Sequence, residues 1–348
     1  MFVQSQRQSH TKQTFEAVME FPFKFKRLDS ATEARISENF TIQQRELIQV
    51  GNQKWLLPQK FEKTASTMYN FEVRPSDVFI CTLPRSGTTW TQDMIWLICN
   101  DLDYTTASET ILDKRFPFMD LHFIANDSAK YIATLSCSEA EKELRFRSPF
   151  EPWGRQTTQR FIKTHLPMQL MPRKIKEVGA KVVYVARNPK DVAVSWYHFQ
   201  KDDFFGYRGD FETHLDFFMN DLTFYMPYWK HILDGWSHRH DENVHFIFYE
   251  DAKLNMAVEL KKLAEFLGKP LKDEDLPQLM DYLKYENAKK NLLINCNHGK
   301  TSDPNLEFVR RGQVGGNPEI TDEISAKIDE WAEKNLRGSD FKFPDFKS

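Results

Sequence analysis

The stretch VFICTLPRSGTTW, residues 78–90, decides how the chain folds. Its first five residues are apolar and β-favouring, and they read as a buried strand over 78–82. Leu83 to Gly87 make a tight loop. From Thr88 the pattern turns helical, with Met94, Ile95, Leu97 and Ile98 at helical spacing. At such a strand–loop–helix junction the amides of Ser86 to Thr89 point out of a helix N-terminus, where the helix dipole favours an anion. Gly87 permits the tight backbone, Thr88 and Thr89 add hydroxyl donors, and Arg85 adds a cation suited to phosphate or sulfate oxygens. A lone Ser-Gly-Thr also reads as an ordinary N-cap. The spacing is not the Walker A form, G-x4-G-K-S/T.

Further along the chain the same unit recurs. Residues 182–186 repeat the strand signature, and 189–200 read as a helix with Pro189 at its start. A third apolar run, 244–249, precedes a helical stretch at 254–267. This alternation predicts an α/β fold: one domain with a central parallel sheet and helices on both faces. Residues 1–20 are polar and are expected to form a flexible N-terminal segment, leaving 21–348 as the domain. Phe161 to Pro167 (FIKTHLP) read as a short strand ending in Lys163, Thr164 and His165, where parallel sheets place their ligands. Residues 101–160 and 295–319 show no clear period and read as irregular stretches.

Composition narrows the class. The 348 residues carry 47 basic and 50 acidic side chains, a net charge of −3 that argues against a nucleic-acid coat. Charged residues at 28% and hydrophobic residues at 41% describe a globular chain. The 29 Phe are about twice ordinary usage and suit either a large aromatic core or an apolar binding cavity. Cys81, Cys99, Cys137 and Cys296 are widely spaced and form no CxxC. The N-terminal stretch has no apolar h-region, and no run approaches 18 apolar residues, so a cytosolic protein without a membrane helix is expected.

Four motifs carry the chemistry: Arg85-Ser-Gly-Thr-Thr-Trp90, Lys163-Thr-His-Leu-Pro167, Arg187-Asn-Pro-Lys-Asp-Val-Ala-Val-Ser195 and Arg310-Arg-Gly312. Each alone is weak. Together and in this order, over about residues 70–335, they resemble the signatures of the cytosolic sulfotransferases. The resemblance implies a P-loop-kinase-like sulfotransferase fold and the donor 3′-phosphoadenosine 5′-phosphosulfate, with adenosine 3′,5′-bisphosphate as product. It implies sulfuryl transfer to a hydroxyl of a small hydrophobic alcohol or phenol, with no metal.

Carried over by residue, Arg85, Ser86, Gly87, Thr88 and Thr89 would bind the 5′-phosphosulfate. Trp90 would flank the adenine with Tyr249 and Tyr285. Arg187, Ser195, Arg310, Arg311 and Gly312 would hold the 3′-phosphate. Lys163 would support the transferring group, and His165 would be the base that takes the acceptor proton.

The sequence departs from the family in three places. Arg85 stands where most members have Lys; the arthropod retinol dehydratase branch is similar in carrying Arg. That likeness supports an alternative, a dehydratase that sulfates an allylic alcohol such as retinol and then eliminates sulfate. The run after Gly312 reads Gln-Val-Gly-Gly-Asn-Pro and lacks the family's Asp-Trp pair. The short C-terminal dimer motif is not recognisable, so a homodimer has no support from it. Phe21, Phe23, Phe25, Phe116, Phe118, Phe150, Trp153, Phe204, Phe205 and Tyr207 fall where the family builds its acceptor pocket, or in the core.

Overall fold

A computed structural model describes residues 19–40, 46–124, 156–201, 205–284, 286–287 and 312–344. Among the described residues, seven strands form two sheets. β1 (Phe25–Arg27), β2 (Leu47–Val50) and β3 (Trp55–Pro58) pair antiparallel in that order. β4 (Val78–Thr82), β5 (Phe161–Thr164), β6 (Lys181–Ala186) and β7 (Val244–Phe248) form a parallel sheet in the order β5–β4–β6–β7. Register is set by the pairs Val78↔Phe161, Val78↔Lys181 and Val182↔Val244. The chain leaves β4 for β5 on one side and returns to β6 on the other. This reversal opens a crevice at the C-terminal end of β4, where such sheets bind ligands.

The parallel strands are apolar because both faces are covered. Phe79, Cys81, Val182 and Tyr184 point into one core, and Val78, Ile80, Val183 and Val185 point into the other. The first core takes Phe61 and Ala65 of the Lys60–Tyr69 helix, Val192 and Trp196 of the Pro189–Gln200 helix, and Trp229 and Ile232 of the Tyr228–Ser237 helix. The second takes the Thr88–Cys99 and Met256–Leu267 helices. Helices thus lie on both faces, as the alternation predicts.

At the far end from the crevice a buried ion pair joins two strands. Arg160 donates from Nε to Asp77 Oδ1 at 2.7 Å and from Nη2 to Oδ2 at 2.5 Å. The backbone of the same residues continues the sheet: Val78 N donates to Arg160 O, and Lys181 N to Asp77 O.

Two expectations shift. The 244–249 run ends as a strand at Phe248; Tyr249 opens the Tyr249–Leu254 helix, which breaks at Asn255 before Met256–Leu267. The antiparallel sheet β1–β2–β3 is not among the elements that the sequence pattern predicts. Residues 1–18 of the expected N-terminal segment lie outside the described residues.

Candidate active site

The loop after β4 is built around two residues with positive φ, Arg85 at 69° and Gly87 at 94°. Gly87 has a second reason to lack a side chain: a Cβ there would lie 2.4 Å from Cδ2 of the Tyr249 ring. The Thr88–Cys99 helix follows, and its first amides have no intrahelical partner. Thr88 Oγ1 and Thr82 Oγ1 are 2.7 Å apart, fixing the strand end to the helix start. Thr89 is half-buried in the first turn. Ser86 is fully buried, and its hydroxyl has no hydrogen-bond partner among the described residues. An oxyanion held by this loop fits that orphaned donor.

The cations predicted from separate motifs meet here. Arg85 donates from Nε to Ser195 Oγ at 3.0 Å and lies over the Phe199 ring at 4.7 Å. Arg187 donates from Nη1 to the Arg85 carbonyl at 3.0 Å and from Nη2 to the Gln313 carbonyl at 3.3 Å. Its guanidinium sits 4.4 Å over the Tyr249 ring, and its buried Nε has no hydrogen-bond partner among the described residues. The segment after Gly312 is thereby drawn to Arg187. Asp191 holds it there, accepting from Gly315 N at 3.1 Å and from Asn317 Nδ2 at 2.6 Å. These bonds engage Gly315 and Asn317 without the family's Asp-Trp pair. Tyr285, Arg310 and Arg311 lie outside the described residues, as do Phe150, Trp153 and Phe204.

Trp90 packs edge-on to Tyr249 with centroids 5.6 Å apart, and its indole donates to the Leu283 carbonyl at 2.9 Å. Lys253, unmarked by any sequence signal, stands 3.9 Å over the Trp90 ring. Burial, then the charge of Arg187, lowers its pKa to about 8. Glu250 accepts from Asn188 N at 2.7 Å, and burial pushes its carboxyl up to about 7.

His165 follows β5 directly and is held at three points. Its amide donates to Asp120 Oδ2 at 2.7 Å. Its carbonyl is 3.0 Å from Nε2 of His231. Its Nδ1 is 2.8 Å from the Thr82 carbonyl, which only accepts, so Nδ1 carries the ring proton and Nε2 keeps a lone pair. Burial, then the charge of Lys163, depresses its pKa well below the ordinary value, so the imidazole is neutral at pH 7. Asp120 also accepts from Thr164 Oγ1 at 2.6 Å; burial pushes its carboxyl up to about 6.

Lys163 places its ammonium 4.2 Å over the Phe118 ring, and Phe118 meets His165 edge-on at 5.1 Å. Tyr225 flanks the imidazole at 5.4 Å. Other aromatics divide: Phe116 and Tyr207 are fully buried core, whereas Phe21, Phe23 and Phe25 form a half-buried group against Phe61.

Comparison with known proteins bears on the family. A family model described as the sulfotransferase domain matches residues 75–340. The chain is 34% identical over 310 residues to luciferin sulfotransferase of Photinus pyralis, spanning 85% of this chain and 81% of that relative. It is 29% identical over 288 residues to sulfotransferase 1B1 of Canis lupus familiaris, spanning 81% and 91%. Among solved structures, retinol dehydratase in a complex with retinol and PAP superposes with a TM-score of 0.84 at 29% identity, covering 94% of this chain and all (100%) of the other.

Proposed function

The chain belongs to the sulfotransferase family and transfers a sulfuryl group from 3′-phosphoadenosine 5′-phosphosulfate, yielding adenosine 3′,5′-bisphosphate; on that premise we propose that His165, Lys163 and Arg85 carry out the transfer to a hydroxyl of a small hydrophobic alcohol or phenol. The donor supplies an activated sulfuryl group on a phosphate leaving group. The observation that carries the reading is His165: its amide, carbonyl and Nδ1 are all engaged, and Nε2 alone is left as a base. As the acceptor oxygen bonds to sulfur and the bond from sulfur to the phosphate oxygen breaks, Nε2 takes the acceptor proton. Lys163 and Arg85 provide positive charge for the oxygens of the group in flight.

The nucleotide is assigned to the remaining residues. The Arg85–Thr89 loop cradles the 5′-phosphosulfate; Trp90, Tyr249 and Tyr285 flank the adenine; Arg187, Ser195, Arg310, Arg311 and Gly312 take the 3′-phosphate. The orphaned Ser86 hydroxyl and Arg187 Nε support this, since both are buried donors with no other call on them among the described residues. Phe118 and Tyr225 beside His165 support an apolar acceptor. The cytosol is the proposed compartment, in keeping with the family. Among the described residues no helix is long and apolar enough to cross a membrane. A homodimer is kept as a proposal for sedimentation to decide.

Replacing Arg187 with Ala tests the clamp. Binding of adenosine 3′,5′-bisphosphate, followed by thermal shift and calorimetry, is expected to weaken by about tenfold or more, and binding of adenosine 5′-phosphate far less. Equal losses for both ligands would remove Arg187 from the 3′-phosphate site. A second reading, elimination of sulfate after transfer, is favoured by Arg85 in place of the usual Lys and by the retinol dehydratase likeness. Chromatography of the product from an allylic alcohol separates the two: a sulfate ester supports transfer alone, and a desulfated polyene supports the dehydratase.

A further inference from the structure

We propose that His231, backed by Tyr184, is a positioning residue that sets the aim of His165, an inference that rests on His165 being the base. His231 is fully buried on the Tyr228–Ser237 helix, and both of its ring nitrogens are spoken for. Nε2 lies 3.0 Å from the His165 carbonyl; because a carbonyl only accepts, Nε2 carries the proton. Nδ1 therefore keeps a lone pair and accepts from the Tyr184 hydroxyl at 2.6 Å. The single proton of that hydroxyl is shared between Nδ1 and the His231 carbonyl, 2.8 Å away, with Nδ1 the nearer acceptor.

Tyr184 sits in β6, fully buried and stacked on Phe246 at 5.1 Å. Gly235, one turn beyond His231, makes room for it: a Cβ there would lie 2.4 Å from Cε2 of the Tyr184 ring. A chain of contacts thus runs from the middle of the sheet through Tyr184 and His231 to the peptide that carries the base. The other two anchors of His165, Asp120 and Thr82, fix its amide and its ring. Without the third, the His165 carbonyl loses its donor and the 165–166 peptide keeps only the bond from Leu166 N to Thr164 Oγ1 at 3.0 Å, so the imidazole is held less firmly against Thr82. Burial lowers the pKa of His231 to about 4, so it stays neutral in working conditions and its donor is constant.

The test compares His231→Leu, which removes the donor, with His231→Gln, whose side-chain amide can still donate at Nε2. His231→Leu is expected to lower kcat by about 10- to 100-fold. Its acceptor KM and its thermal shift with adenosine 3′,5′-bisphosphate should change little. The acidic limb of its pH–kcat/KM profile should move to higher pH as the loosened imidazole gains solvent. His231→Gln is expected to restore most of kcat and return the limb to its wild-type place. Unchanged kcat in His231→Leu overturns the proposal, as does an equal loss in both variants with an unmoved limb. Tyr184→Phe, which removes only a hydroxyl, covers the case in which His231→Leu does not fold. It should show the same limb shift with a smaller drop in kcat, and a wild-type profile counts against the proposal. His165→Ala is run beside them. If it keeps turnover, the reading of the base fails; if it is inactive while His231→Leu is normal, only the positioning role fails.

Discussion

At the scale of single residues, Gly87 is the most constrained position in the site. It combines a φ of 94° with a Tyr249 ring that occupies the place of any Cβ. Gly87→Ala is expected to cost about 1–3 kcal/mol of stability and to weaken adenosine 3′,5′-bisphosphate binding by more than tenfold. Chemical denaturation and calorimetry read the two effects, and wild-type values for both would refute the account. The charged and motif-borne residues here were legible from sequence because they fall in four short motifs at fixed spacings. Asp120, Thr82 and His231 were not. They act on His165 through its amide, its ring nitrogen and its carbonyl, and a bond to a main-chain atom leaves no pattern along the chain. Lys253 and Asp191 were missed for a related reason: their partners, Trp90 and the Gly315–Asn317 segment, are remote in sequence.

At the scale of elements, strands buried on both faces read clearly. β4 and β6 are continuous apolar runs, so their positions follow from composition alone. β1, Phe25–Arg27, has three residues with two of them exposed, and β3 ends in a proline; neither offers enough alternation to identify a strand. The Asp77–Arg160 pair, in which both side chains are essentially removed from water, ties together the residues that precede β4 and β5. Arg160→Ala leaves the Asp77 carboxylate buried with its charge-assisted bonds to Arg160 lost, and is expected to cost about 3–5 kcal/mol. Urea titration of this variant measures the loss, and a cost under about 1 kcal/mol would show the pair to be dispensable. Replacing both residues with apolar ones of similar volume should cost less than the single change.

For the whole molecule, a net charge of −3 conceals a cationic focus, with Arg85 and Arg187 joined through the backbone of one loop. Much of the Phe surplus goes to packing; the C-terminal pair Phe341 and Phe343, 4.9 Å apart, closes the core against Trp229 and Phe248. Buried titratable groups make stability depend on pH in two opposed ways. His214 is buried and its pKa falls to about 3, so below pH 6.5 the unfolded chain takes a proton that the native state refuses, and stability falls with pH. Glu250, raised to about 7, works in the other sense: from pH 7 down to about 4.5 the native state takes the proton first and gains stability. His214→Gln, whose amide can still donate to the Ala193 carbonyl, should therefore lose about 3 kcal/mol less than the parent between pH 6.5 and 4. Parallel denaturation curves across that range would refute this.

Asp191 has a consequence for grafting. Its carboxylate, on the Pro189–Gln200 helix, gathers donors from Gly315 and Asn317. A chimera that imports a relative's loop without its matching helix takes the Gly315 and Asn317 donors from a buried acid and leaves it to Arg187 at 3.5 Å. The two segments are one cassette, to be exchanged together or left alone.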